Sequence, residues 1–153
     1  MAQIELSITE SFAPPACPPA TSKLIGSVPR WAATVAEATE PCLVIDTDAL
    51  IVATSESCCT LLGLGDPETI VGRFLLEGVL RLVDFTAARG ELTEAEIDKI
   101  PPLLALSSGR LARGLMRVHD GADGGLDATV DAIATPLWDG TTVVGSLTFF
   151  SAI

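Results

Sequence analysis

Few side chains in this sequence combine a reactive type with a spacing that implies chemistry. The four cysteines, Cys17, Cys42, Cys58 and Cys59, form no CxxC pair, and the single histidine, His119, is remote from all of them in sequence. A structural metal site needs clustered thiolate and imidazole ligands, so none is expected. Cys58 and Cys59 are neighbours near the start of a short helical stretch, where the helix dipole can lower a thiol pKa and favour oxidation. Adjacent cysteines close too tight a ring to bridge readily, and the pair reads first as one buried and one incidental thiol. Asp127 and Asp131 alternate on a strand opposite Arg113 and Arg117, which describes a surface charge ladder rather than a general acid/base pair. GxxxxGK, GxSxG and HExxH patterns are absent, and with them the common phosphate-cradle, nucleophile-elbow and zinc-protease signatures. The expectation is a protein that binds rather than an enzyme.

Composition narrows the partners. The 153 residues, 48% of them apolar, suffice for one domain around one core. Twenty acidic against nine basic residues give a net charge of −11, which repels nucleic-acid phosphates and anionic lipid headgroups. No apolar run of membrane-spanning length occurs, and the start Met1-Ala2-Gln3-Ile4-Glu5 lacks the features of a signal peptide, so a cytoplasmic location is expected.

The positioning elements follow from period and punctuation. Residues 1–30 read as a flexible Pro-rich arm, with a short alternation at Ile4, Leu6 and Ile8 and prolines at 14, 15, 18 and 19. Trp31, Val35 and Ala38 recur at helical spacing before Pro41 closes the segment. Cys42 to Ile45 and Leu50 to Thr54 form an expected hairpin around the acidic turn Asp46-Thr47-Asp48. Ser55 caps a short helix ended at Gly63 or Gly65, Asp66-Pro67-Glu68 starts another, and Thr93 with Glu96 has capping-box spacing. Leu75 to Phe85 is expected to be partly helical, and Pro101-Pro102 bends or restarts the chain. Arg110 to His119, Leu126 to Pro136 and Thr142 to Phe150 are expected strands, joined by turns at Asp120 to Gly125 and Asp139-Gly140.

In this order, the elements of residues 31–153 resemble the PAS family. The likeness is carried by Pro41-Cys42-Leu43-Val44-Ile45-Asp46 with Asp48 and Ile51 to Ser55, by Leu61-Leu62-Gly63 with Ile70-Val71-Gly72-Arg73, by His119-Asp120-Gly121, and by Thr135-Pro136-Leu137 with Asp139-Gly140 and Val143-Val144-Gly145. Ser55 stands where many members carry Asn, and the stretch Gly90 to Pro102 is longer than usual. The resemblance implies an α+β domain, a five-stranded antiparallel sheet with short helices on one face and an N-terminal cap helix. It also implies a cavity between sheet and helices and duty as a sensor or dimerisation module.

The flavin-binding light-sensing members carry a reactive Cys just before the Arg of their motif. Here Arg73 follows Gly72 directly and no adduct can form. A haem member needs an axial ligand, and His119 falls beside a turn as a solvent-exposed loop residue, so no cofactor is expected. The small residues Ala112, Gly114, Ala128, Ala132 and Ala134 share one sheet face with Met116 and Val130. That face either leaves volume for a small apolar or amphipathic ligand, with Ala112, Gly114, Met116, Val130 and Ala132 as its contacts, or lets helices pack closely in a ligand-free interaction adaptor. Trp31, Val35, Leu115 and Ile133 are the expected interface, with the Trp31 helix covering the outer sheet face in a homodimer. Either way the signal is expected to pass to a partner signalling protein.

Overall fold

A computed structural model describes residues 26–77, 79–119 and 127–153; the arm's alternation at Ile4 to Ile8 and the turn at Asp120 to Gly125 lie outside them. Eleven elements follow one another within these residues: α1 (Ser27–Ala36), β1 (Cys42–Asp46), β2 (Ile51–Thr54), α2 (Glu56–Leu62), α3 (Pro67–Ile70), β3 (Leu82–Val83), α4 (Glu94–Ile97), α5 (Pro101–Ser108), β4 (Ala112–His119), β5 (Asp127–Asp139) and β6 (Thr142–Ala152). The strands form one sheet in the order β2-β1-β6-β5-β4-β3, and every pairing is antiparallel.

Alternation decides which side chains enter the core. In β4, Ala112, Met116 and Val118 are buried while Arg113 and Leu115 are exposed, and β5 buries Val130, Ala132 and Ala134 in the same phase. Met116, Val118, Val130 and Ala132 meet Leu43 and Ile45 of β1, Phe150 of β6, apolar side chains of α2 and α3, and the leucines at 75, 80 and 82. A separate contact joins Ala105 of α5 to Ala112 and Ala134. Three methyl-sized side chains let α5 sit close on the sheet, where the buried Ser146 hydroxyl donates to the Pro102 carbonyl at 2.9 Å.

The other sheet face carries α1. Val35 is buried against Cys42, Val44, Ala53, Leu137 and Leu147, with Val28 and Ala32 beside it. The helix begins at Ser27, inside the segment expected to be arm. Its sheet-facing stripe is therefore Val28-Ala32-Val35, and Trp31 lies at the margin, 42% exposed. Gly145 in β6 admits this approach: a Cβ there would lie 2.5 Å from the Ile45 carbonyl oxygen and 3.0 Å from Val28 Cγ2.

Most expected punctuation is present. Asp46 Oδ1 accepts from the Asp48 and Leu50 amides in the first hairpin, Gly63 ends α2 in the left-handed region, and Thr93 with Glu96 makes a capping box. Two expectations fail. The described residues of Leu75 to Phe85 form no helix but turns that feed β3, because the leucines fill the core at irregular spacing while Leu82 and Val83 pair with Val118 and Arg117. The sheet accordingly has six strands rather than five.

One side chain ties three of these pieces together. The buried Ser55 hydroxyl donates to the Glu40 carbonyl at 2.8 Å, and accepts from the Cys42 amide at 3.0 Å and the Cys58 amide at 3.2 Å. Ser55→Ala removes a helix cap and strands a buried amide, each costing about 1 kcal/mol or more. The variant is expected to lose about 2–4 kcal/mol in urea unfolding, and a loss below about 1 kcal/mol would show that the hydroxyl is dispensable.

Candidate functional site

The sequence-predicted ligand contacts fall in two groups. Met116, Val130 and Ala132 lie in the main apolar cluster, and Ala112 lies in the alanine contact beneath α5. Gly114 is half-buried, with Pro101 Cγ 3.5 Å from where its Cβ would be. Three of the clefts among the described residues open elsewhere, and none of these is lined by the five. One of about 480 Å³ lies beside β3, between Leu76, Leu80, Leu92 and Ile97, with Arg81, Glu91 and His119 also lining it. The stretch Gly90 to Pro102 thus supplies a wall of this cleft. Two more, of about 980 and 710 Å³, flank α1 on the side of α2 and α3.

The predicted interface residues also separate. Val35 is spent inside the fold, whereas Leu115 is 55% and Ile133 37% exposed on the outer sheet face. Phe149, which pairs with Ile133 across β5 and β6, joins them at 43% exposure. Alternation from the buried Leu147 could have revealed it, had the phase of β6 been assigned. The α1 helix covers the β1–β2 end of this face and leaves its β4–β5 part open, a correction to the cover expected from the Trp31 helix. Arg113 donates to Asp131 through Nη2 at 2.7 Å and Nε at 3.2 Å beside the open part.

Further along the same face the charge ladder becomes a cluster. Asp127, with its side chain only 5% exposed, receives His119 Nδ1 on Oδ1 at 2.8 Å, while Arg117 Nε and Arg89 Nε approach Oδ2 at 3.2 and 3.4 Å. His119 is the last residue of β4, half-buried and paired, not an exposed loop histidine; strand pairing to Asp127 extends further toward the turn than composition suggested. The His119 hydrogen bond first, then the nearby Arg89 and Arg117, hold the Asp127 carboxyl below its ordinary value. Arg113 does the same for Asp131.

The three cysteines among the described residues are withdrawn from solvent. Cys42, Cys58 and Cys59 are all buried, so neither member of the adjacent pair is incidental. Burial pushes the Cys58 thiol up to about 12 and raises Cys42 and Cys59 as well. Among the described residues no group of three or more His, Cys, Asp or Glu side chains is placed to hold a metal ion, and no helix is long and apolar enough to cross a membrane.

The sequence matches no protein-family model and no curated protein. Its backbone does match solved structures. The PAS domain of a protein from Colwellia psychrerythraea aligns with a TM-score of 0.56 at 15% identity, over 81% of this chain and 94% of that one. The PAS domain of an HTR-like protein from Haloarcula marismortui aligns over 100% of both chains, with a TM-score of 0.51 and 15% identity. The fold is that of a PAS domain. VqmA of Vibrio cholerae also aligns, with a TM-score of 0.56 at 18% identity, over 81% of this chain and half of that one. Glu91, Leu92 and Ile97 of the cleft beside β3 come from the stretch Gly90 to Pro102, where this sequence departs from the PAS pattern, whereas β3 itself lies before that stretch.

Two measurements test this electrostatic picture. The folded Asp127 pKa lies below the unfolded value of about 3.9, so its contribution to stability is full above that pH and is lost as pH falls through the folded pKa. Asp127→Asn is expected to flatten the acid limb of the stability–pH curve below about pH 4, and an unchanged limb would remove the carboxyl from this role. Thiols this poorly ionised at neutral pH react slowly. Iodoacetamide with peptide mapping should leave Cys42, Cys58 and Cys59 unmodified in native protein and alkylate them in urea; rapid native labelling of Cys58 would contradict its burial.

Proposed function

We propose that this PAS fold is a signalling module that acts by association rather than catalysis, and that it pairs with a second copy through the outer face of its sheet. The observation that carries this reading is the patch Leu115, Ile133 and Phe149, three exposed apolar side chains on adjacent strands, left open by α1 among the described residues. Isolated exposed apolar residues are ordinary, but a contiguous patch marks a binding surface. Electrostatics favours this face for self-association. Copies with a charge of −11 repel generally, whereas Arg113 and Asp131 neutralise one another beside the patch, so two such faces can meet without opposing acids. VqmA, which shares the fold, is described as a dimer.

The cleft beside β3 favours a second reading, a sensor of small ligands. Its volume of about 480 Å³ lies within the range of small-molecule sites, and its lining combines leucines with Arg81, Glu91 and His119. An amphipathic molecule there would pack on Leu76, Leu80, Leu92 and Ile97 rather than on Met116 and Val130. It would touch β4 at His119 rather than at the small-residue face.

Static light scattering and native mass spectrometry separate the two readings. The protein is expected to dimerise, and Leu115→Asp with Phe149→Asp should weaken the dimer at least about tenfold, as for loss of a central apolar anchor, with little change in melting temperature. A monomer that retains a small ligand would support the sensor reading instead. A double variant as dimeric as the parent would overturn the sheet-face interface.

A further inference from the structure

The two clefts that flank α1 share Ala36, Glu56 and Thr60, so they form one continuous groove. Its apolar surface includes Ala32, Ala36, Val52 and Val71, the last 44% exposed. Every ionisable residue that lines it is acidic: Glu56, Asp66 and Glu68 in one part, Glu37 and Glu56 in the other. None of these four carboxylates takes part in an ion pair among the described residues, where the pairs all involve Asp127 or Asp131. We infer that this groove docks a basic amphipathic helix of another protein, its apolar stripe on the alanines and valines and its Lys or Arg side chains on the acidic rim. Such a helix reads a groove through residues about one turn apart, which suits a trough walled by α1 on one side and by α2 and α3 on the other.

Charge excludes the other occupants. A second copy brings a net charge of −11 to an acidic rim. Residues 1–25 hold one basic side chain, Lys23, against Glu5 and Glu10, so the chain's own N-terminal segment lacks the complementary charge. The inference is independent of the sheet-face dimer, because the groove and the Leu115 patch share no residue.

The test uses fluorescence anisotropy with a labelled Leu/Lys amphipathic helix of about five turns and its Leu/Glu counterpart. The Leu/Lys peptide is expected to bind saturably, and the Leu/Glu peptide is not. Reversing two groove charges, Glu37→Lys with Glu68→Lys, should weaken binding about tenfold, since each exposed charge contributes roughly a factor of three. Reversing two charges outside the groove, Glu77→Lys with Asp98→Lys, gives the same net charge and should change binding less than about threefold. Equal loss in the two double variants would reduce the effect to general acidity and overturn the site, as would absence of binding to the parent protein. Amide chemical-shift mapping of the parent keeps the test valid if a variant unfolds. Shifts at Ala32, Ala36 and Val71 support the groove, and shifts confined to other surfaces refute it.

Discussion

The Ser55 hydroxyl holds the junction on which the two layers of this fold depend. In one place it joins the linker after α1 at Glu40, the first residue of β1 at Cys42 and the first turn of α2 at Cys58. The Ser55 amide also donates to the Cys42 carbonyl, and Ser57 Oγ donates to the Thr39 carbonyl at 2.8 Å. This short polar lattice sits where the chain passes from the α1 face of the sheet to the α2 face. A larger polar side chain could reach one or two of these partners, but a hydroxyl is small enough to touch all three while wholly buried. The α1 helix makes no side-chain cap hydrogen bond of its own at its N-terminus. Its seating on β1 and β2 therefore relies on Val28, Ala32 and Val35, and on this anchored exit.

Around that junction the two sheet faces are used differently. The inner face closes against α5 by shape: Ala105, Ala112 and Ala134 bring backbone close to backbone, and Pro102 accepts from Ser146. The outer face is only partly closed, since α1 is a ten-residue helix laid across a six-stranded sheet. What remains open is apolar, with its nearest charges already paired. The small-residue positions that suggested either a ligand cavity or close packing include Ala112 and Ala134, which the structure uses for packing, and Ala132 and Val130, which lie in the main core.

The legible parts of the sequence were those in which local chemistry and tertiary burial agree. Period-two alternation in β4 and β5 fixed both faces correctly, and Ser55, Gly63, Pro67 and the Thr93–Glu96 pair marked helix ends through backbone bonds that a sequence can announce. Leu75 to Leu82 was not legible. Its leucines are recruited into the core at positions that match no single period, and β3 exists only because β4 offers an edge. Trp31 was misleading for a related reason: a large apolar residue draws attention, yet the helix starts earlier and its smaller residues Val28, Ala32 and Val35 face the sheet. His119 was read from the turn beside it, when its partner Asp127 across the strand pair decided its place. The clefts beside β3 and α1 arise from several loops and helices meeting at a distance, and no short stretch of sequence encodes them.

The lengths of the strands have a further consequence. The sheet ends in β2, of four residues, and β3, of two, while β5 and β6 inside it run to thirteen and eleven. An isolated bridge lies at each of these short strands, Leu50 to Phe74 beside β2 and Val83 to Glu91 at β3, while β3 itself pairs with only Arg117 and Val118 of the longer β4. An incoming extended chain finds little template at β2 or β3 themselves, which limits strand addition there in a protein nearly half apolar. Short edges of this kind favour pairings of faces, which close at a definite number of partners, over open-ended growth by strand addition.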